Sequence, residues 1–418
     1  MAVTNKFFDI GDISFMSAES LTSYFGFTNN VNRSYDGRFA QTGAKIGSVT
    51  QARLPGQFRF SADTSSTAID LQALNDGAMP VTLTKNYQRS FAVDLVDLSL
   101  SVDDFHERYM KPAMLSLAAE IDRDGLLTAL AYAENAVGTP GTAITSLTAL
   151  QALFAAAYRK EVEHLAPVNE KLWVASMPAL NELGYTYMTT LFNPQAVVSD
   201  LQEKGVIAVA SNLNFMTSQL QPSYTVNTYS GSPVVNGTNQ SGNSIITGSW
   251  GAGSSLAVGT TITFAGVYDV NPQTKQSLGY LKQFSVTTAT ATGTAQTIQI
   301  SPAIVGPGDP RQNVTRLPTT GDAVTVLGAA GSYNMSMAYH KDAFIFATAD
   351  IGPTNAGGGE ISGGGGADFF TASLPGLNMS VQCSRQFDIR SRQVLMRLDL
   401  LGGWQPLYPQ LATKIIHS

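Results

Sequence analysis

The chain has 418 residues, of which 44% are hydrophobic, so two or three folded domains are expected rather than disorder. Charged residues make up only 13%, against a usual share of roughly 25%, and a net charge of −6 argues against a nucleic-acid-binding surface. The first residues lack the basic start and apolar run of a secretion signal, no apolar stretch reaches the roughly 20 residues a bilayer span needs, and Cys383 is the only cysteine, so a soluble protein that folds without oxidation in the cytoplasm is expected.

Residues 1–44 mix aromatics with Asn, Ser and Gly, and Phe7, Phe8, Phe15, Tyr24, Phe25 and Phe27 are too many to leave in water. No amphipathic pattern buries them locally. The segment therefore reads as an arm docking on its own body or on a neighbouring chain, or as an ordinary N-terminal strand and short helix. Lys45 to Phe60 and Met79 to Val102 carry strand patterning around a polar, turn-prone tip. They outline a long hairpin with Arg53 and Arg59 on one arm and Lys85 and Arg89 on the other. Such a hairpin is either solvated or buried against another subunit.

The clearest helix is expected over residues 103–137. Asp103 or Asp104 is placed to cap it, Phe105, Tyr109, Ala113, Leu117 and Ile121 recur at helical spacing, and Pro112 should kink or restart it. A second helix is predicted from Leu147 to His164, and short strands and helices alternate from Leu172 to Leu220. At Tyr224 the composition changes: no charge occurs from Gly205 through Tyr268, and Ser, Gly, Asn and Thr dominate. Within this region Ile262 and Phe264, Phe284 and Val286, then Ile298 and Ile300 alternate so as to share one side. Turn clusters at Asn271-Pro272 and around Gly293 separate these runs. A β domain inserted at about 224–333 is the simplest reading, with mixed patterning resuming afterwards. Residues 356–368 form a glycine-rich loop by composition. Leu377 to Phe387 and Gln393 to Leu401 suggest a hairpin around Asp388–Arg392.

No constellation supports catalysis. His106, His164, His340 and His417 are widely spaced and none belongs to a recognised metal-binding spacing. Asp122-Arg123-Asp124-Gly125 starts like a calcium loop but lacks the later ligands, so a solvated helix face is expected there. The glycine run lacks the phosphate-loop order, no serine sits in a nucleophile elbow, and Cys383 lies in an alternating strand, where it reads as a small buried side chain. Neither a cofactor nor a metal site is expected.

The words TFAGVYDVNPQTKQSLGYLKQFSV and TIQISPAI resemble the inserted β-domain of a subset of tailed-bacteriophage major capsid proteins, coat proteins related to those of short-tailed phages of enteric bacteria. VDLSLSVDDFHERYMKPAMLSLAAEID is similar to the strand leading into that family's spine helix. YHKDAFIFATADI and VQCSRQFDIRSRQVLMRLDLLGGWQPLYPQLATKI are similar to its closing segments. The resemblance spans about 45–416 in the expected order.

It implies an α+β tailed-phage major capsid fold. The implied parts are an N-terminal arm (1–44), an extended loop hairpin (45–89), a peripheral domain with spine helix (90–144) and an axial domain (145–223). An inserted small β-barrel (224–333), the axial domain continued (334–375) and peripheral C-terminal strands (376–418) complete it. It further implies assembly as hexamers and pentamers into an icosahedral shell enclosing double-stranded DNA, with scaffolding and portal proteins as assembly partners, no membrane, and a place in the virion after synthesis in the host cytoplasm. On this reading Arg53, Arg59, Lys85, Arg89, Phe7, Phe8 and Phe15 are candidate inter-subunit contacts. The competing reading is a carbohydrate-binding or adhesin-type β protein with Trp250 or Tyr268 as ligand aromatics.

Overall fold

A computed structural model describes residues 19, 21, 23–33, 47, 49–54, 77–94, 106–167, 169–188, 209–210, 212–349, 361–363, 367–374 and 379–417. Its elements, in chain order, begin with β1 (Val49–Leu54), β2 (Gly77–Thr82) and β3 (Lys85–Asp94). Next come one π-helical turn (His106–Met110), α1 (Lys111–Tyr132), β4 (Asn135–Val137), α2 (Leu147–Glu163), β5 (Leu172–Ser176) and α3 (Pro178–Met188). The strands β6 (Val209–Ala210), β7 (Leu213–Thr217), β8 (Tyr224–Val226), β9 (Gly231–Val235), β10 (Gly242–Trp250), β11 (Thr261–Val270), β12 (Ser277–Val286), β13 (Gln296–Ile304) and β14 (Val324–Val326) follow. The chain closes with β15 (Gly331–Tyr339), β16 (Phe344–Ala349), β17 (Ile361–Gly363), β18 (Ala367–Leu374), β19 (Met379–Asp388), β20 (Gln393–Pro406) and β21 (Ala412–His417). Two compact units result, one from residues 1–52, 79–125 and 345–405, the other from 53–78, 126–344 and 406–418.

In the first unit a sheet runs β16-β20-β19-β18-β17, with β3 also on β20. The hairpin expected around Asp388–Arg392 is present, with Asp388 opposite Gln393. Asp388 closes its turn by accepting from Arg390 N at 2.9 Å and Ser391 Oγ at 2.8 Å. Val394, Met396, Leu398 and Leu400 point inward from β20, as their alternation predicts, and Cys383 is a buried free thiol that burial pushes up to about 12. The strand expected over Met79–Val102 is broken at Leu83-Thr84. Lys85 and Arg89 consequently lie on β3, a strand of this sheet paired with β20, rather than on the arm β2 that pairs with β1.

The spine helix begins as one π turn and becomes α-helical at Lys111. Pro112 thus sits where the π turn gives way to the α-helix, the restart expected of a residue that has no amide for the ladder. Its buried stripe is Met110, Met114, Leu117, Ile121, Leu126 and Ala129. The helix ends at Tyr132, not at Val137 as periodicity predicts. Glu134 N donates to Pro409 O at 3.2 Å, and Asn135–Val137 pair parallel to Thr413–Ile415. Tertiary pairing overrides helical periodicity at Asn135–Val137. In α2 the Ser146 side chain accepts from Ala149 N at 3.2 Å, a normal N-cap.

The second unit holds two sheets. One runs β4-β21-β15-β5-β7-β6, and the other β14-β11-β12-β13-β10-β9. The latter nearly closes into a barrel: Val234 bridges Ala323, and Val235 N donates to Asp322 O at 2.9 Å. The predicted shared face is its core. Ile262, Phe264, Phe284, Val286, Ile298 and Ile300 are all buried, Ile262 is paired with Phe284, and the Phe264 and Phe284 ring centroids lie 5.5 Å apart. Entry and exit pair with each other: β8 runs antiparallel to the start of β15, Tyr224 opposite Tyr333 and Val226 opposite Gly331. A module whose two ends form one ladder leaves its host strand order unbroken, which is the physical signature of an insertion.

Candidate functional site

Two groups of charged side chains organise the molecule, one in each unit. In the first unit Asp122 of α1 is buried and accepts from Gly26 N at 2.8 Å, Phe27 N at 3.2 Å, Thr28 N at 3.0 Å and Thr28 Oγ1 at 2.5 Å. Burial, the largest influence, raises its carboxyl, while these four hydrogen bonds pull the other way. Phe25 and Phe27 are thereby held in the core, with the Phe27 ring 5.4 Å from that of Trp404. Gly125 lies under the same indole, where a Cβ would come within 2.6 Å of it. The expected solvated face at 122–125 is therefore corrected: each residue except Arg123 is committed to packing or pairing.

Along the same helix Asp124 meets Lys85 Nζ at 2.5 Å and Tyr87 Oη at 3.0 Å, and Glu120 meets Arg89 at 2.7 Å. Arg89 also donates to Ser116 Oγ at 3.0 Å. Four-residue spacing on β3 matches four-residue spacing on α1, so Lys85 and Arg89 have carboxylate partners within the chain. These pairs are exposed and contribute on the order of 0–1 kcal/mol each. Of the other predicted contacts, Arg53 lies on β1, and Phe7, Phe8, Phe15 and Arg59 lie outside the described residues.

The second group fixes the barrel to the rest of its unit. Lys282 on β12 is buried between Asp269 Oδ1, at 3.0 Å, and Glu134 Oε1. His164, just past α2, places Nε2 at 3.0 Å from Asp269 Oδ2 and Nδ1 at 2.6 Å from Lys160 O. Burial alone would raise the Asp269 carboxyl; Lys282 and the His164 hydrogen bond outweigh it and hold the group at about 2. For Lys282 burial likewise opposes the charge, and the two carboxylates reverse it, so its ammonium is held above the ordinary lysine range. Glu134, His164 and Asp269 offer ligand atoms within 4.8 Å of one another, but the ammonium bonded to both carboxylates brings the charge that a metal ion would bring.

Around this core the Lys160 ammonium lies 3.3 Å from the Tyr280 ring centroid, and Tyr280 Oη donates to Glu163 at 2.8 Å. Gln283 and Ala136 exchange two hydrogen bonds, at 2.9 and 3.1 Å. Lys414 of β21 donates to Gly259 O at 2.7 Å and Ser285 Oγ at 2.8 Å. Another histidine, His340, sits with Glu170 and Asp342, both ring nitrogens engaged: Nε2 lies 3.0 Å from Glu170 Oε2, and Nδ1 accepts from Asp342 N at 3.3 Å.

Trp250, a ligand aromatic on the carbohydrate-binding reading, is a core residue whose indole N–H donates to Thr247 Oγ1 at 2.9 Å. Tyr268 is the exposed member of that pair. What organises the chain is thus a set of internal seams, the property of a structural subunit.

A family model described as P22 coat protein, gene protein 5, matches residues 210–414. Over those residues, just under half of the chain, it is similar to the P22-like coat-protein family; the protein is a major capsid protein of a tailed phage, a non-enzymatic component of the icosahedral shell of the virion. Comparison with curated proteins gives no match. Among solved structures, a chain of Mycobacterium phage Che8 is similar at 11% identity over 93% of this chain and 90% of that one, with a TM-score of 0.45. The capsid of Ralstonia phage GP4 is similar at 7% identity over 100% and 93%, with a TM-score of 0.45. The CUS-3 coat protein I-domain is similar at 29% identity over 25% of this chain and 98% of that one, with a TM-score of 0.18.

Proposed function

We propose that this capsid subunit assembles as hexamers and pentamers around double-stranded DNA, with scaffolding and portal proteins as assembly partners, and that its inserted barrel chiefly stabilises the subunit that carries it. The observation carrying the barrel's role is the seam just described. An ionic cluster, two polar backbone contacts and a buried lysine fasten the barrel to the end of α1, to α2 and to β21. A module meant only to reach neighbours has no need of so many buried internal attachments. Removing residues 226–332 is expected to lower the yield of soluble subunit severely; normal yield with normal shells would exclude a folding role.

The ladder joining β8 to β15 supports domain limits of 224–333 for the barrel. The other limits proposed with it are 1–44, 45–89, 90–144, 145–223, 334–375 and 376–418. For subunit contacts the proposal rests most on Arg53 and Arg59 of the extended loop and on Phe7, Phe8 and Phe15 of the arm. Lys85 and Arg89 have partners at home and contribute to a neighbour only by sharing them. Reversing Arg53 and Arg59 to glutamate should leave the circular dichroism of the free subunit unchanged and reduce shell formation with scaffold. Unchanged shell yield by electron microscopy would sink that assignment.

A further inference from the structure

Two lysines are buried where the barrel meets its host, and their surroundings are opposite in kind. Lys282 is locked between the carboxylates of Glu134 and Asp269. Lys414 is equally buried, yet its ammonium meets neutral oxygens alone: Gly259 O at 2.7 Å, Ser285 Oγ at 2.8 Å and Thr261 Oγ1 at 3.4 Å. Its neighbours across the sheet are Met337 on β15 and Ala136 on β4, neither of them ionisable. From α2 Glu161 bonds Thr413, the residue before Lys414, and burial pushes that carboxyl well above its usual range. From the barrel the titratable neighbour is Tyr224, whose Oη accepts from Thr261 N at 3.0 Å and which burial pushes up to about 12, so it stays neutral.

This oxygen set serves both protonation states. An ammonium has three N–H groups for three acceptors. A neutral amine has two N–H groups and a lone pair, and a hydroxyl accepts or donates as required. The carbonyl of Gly259 always accepts, whereas Ser285 or Thr261 is able to turn its proton toward the nitrogen. Loss of the Lys414 proton therefore needs no rearrangement of the backbone. Loss of the Lys282 proton would leave carboxylates facing a neutral amine.

We propose that Lys414 is a titratable pin between β21 and the inserted barrel, so that attachment of the barrel tightens as the medium passes from neutral to alkaline. Burial lowers its ammonium from 10.5 to about 7. A lysine freed by undocking regains the ordinary value. Between the two values the undocked state binds a proton that the docked state has released, so docking strengthens by up to about tenfold per pH unit. Below about 7 both states are protonated and the dependence vanishes. Lys160, lowered to about 8 mainly by burial, acts in the same sense but starts a unit higher. Opening is therefore followed from about 7 to about 8, in parallel in a Lys160→Met variant that removes the contribution of Lys160.

Hydrogen exchange of the intact subunit, followed by mass spectrometry and corrected for intrinsic rates, measures opening of β11 and β12 directly. In wild type, opening should fall up to about tenfold across that interval. Lys414→Met should flatten it there, while Lys282→Met should weaken the barrel and keep the slope. A flat wild-type curve, or an unchanged slope in Lys414→Met, overturns the proposal. If Lys414→Met does not fold, Ser285→Ala decides. Removing one acceptor of the ammonium should move the foot of the rise to lower pH, and an unmoved foot overturns the proposal equally.

Discussion

Replacing Lys282 by methionine is expected to destabilise the subunit by about 3–5 kcal/mol, because it leaves Glu134 and Asp269 buried with their shared cation gone. The side chains differ little in volume, so the loss is electrostatic rather than a cavity. Asp269 supplies the signature. With Lys282 present its carboxyl is held at about 2, so the stability it contributes is present above its ordinary value of 3.8 and is lost as pH falls toward 2. In the variant, burial dominates and His164 is the remaining counterweight, so Asp269 titrates at higher pH and the variant recovers part of its deficit in mild acid. Urea unfolding of the free subunit at neutral and mildly acidic pH measures both effects. In a Glu134→Gln background the Lys282→Met change should cost less, since one stranded carboxylate is already neutral. A loss below about 1 kcal/mol with no pH signature would mean that water or rearranged side chains replace the ammonium.

The position of this cluster explains why a shell protein would keep it. Apolar surfaces slide past one another with small losses, whereas an ammonium between two carboxylates is satisfied in one arrangement only. Asp269 and Lys282 lie on the barrel, and Glu134 and His164 come from the segments after α1 and α2. Their joint satisfaction sets one orientation of the barrel on its support. A subunit repeated many times in one lattice needs that uniqueness more than it needs stability.

The barrel was legible because antiparallel strands with one buried face write a period of two into the sequence, and each pair from Ile262 to Ile300 is local in that sense. The hairpin around Asp388 was legible for the same reason. His164 was not: its partners Glu134 and Asp269 lie 30 and 105 residues away along the chain, and no spacing rule joins residues of three separate elements. One signal was available. Asp269 ends the uncharged run that starts at Gly205, and an isolated charge in an alternating strand has to be paired if it is buried. The helix end was misread because Asn135–Val137 carry a pattern compatible with either element, and the choice is made by β21. Asp122 was misread because an acidic residue near Asp124 and Glu120 suggests solvent, while its partners are backbone amides, which carry no residue signature.

Asp122 carries the other large expected effect. Asp122→Ala should cost about 3–5 kcal/mol, since it strands three backbone amides and the Thr28 hydroxyl that a single carboxylate satisfies, at roughly 1–3 kcal/mol per unsatisfied buried group with partial relaxation. Asp122→Asn keeps an acceptor oxygen of similar shape and should cost about half as much. The damage should be local at first: release of the turn at Thr28–Asn30 frees Phe25 and Phe27 from the core and uncovers Trp404. Trp404 is one of three tryptophans, and Trp250 is buried in the barrel, so a red shift of emission without loss of barrel protection in hydrogen exchange would identify this partial opening. The consequence for assembly follows from connectivity. The proposed contact residues Phe7, Phe8 and Phe15 precede this turn in the sequence, so its loss is expected to weaken what they contribute to a neighbour. Asp122→Ala subunits that remain folded should therefore form shells less efficiently than wild type at equal concentration. Full stability with an unshifted emission maximum would show that the N-terminal segment is held by its aromatic packing alone.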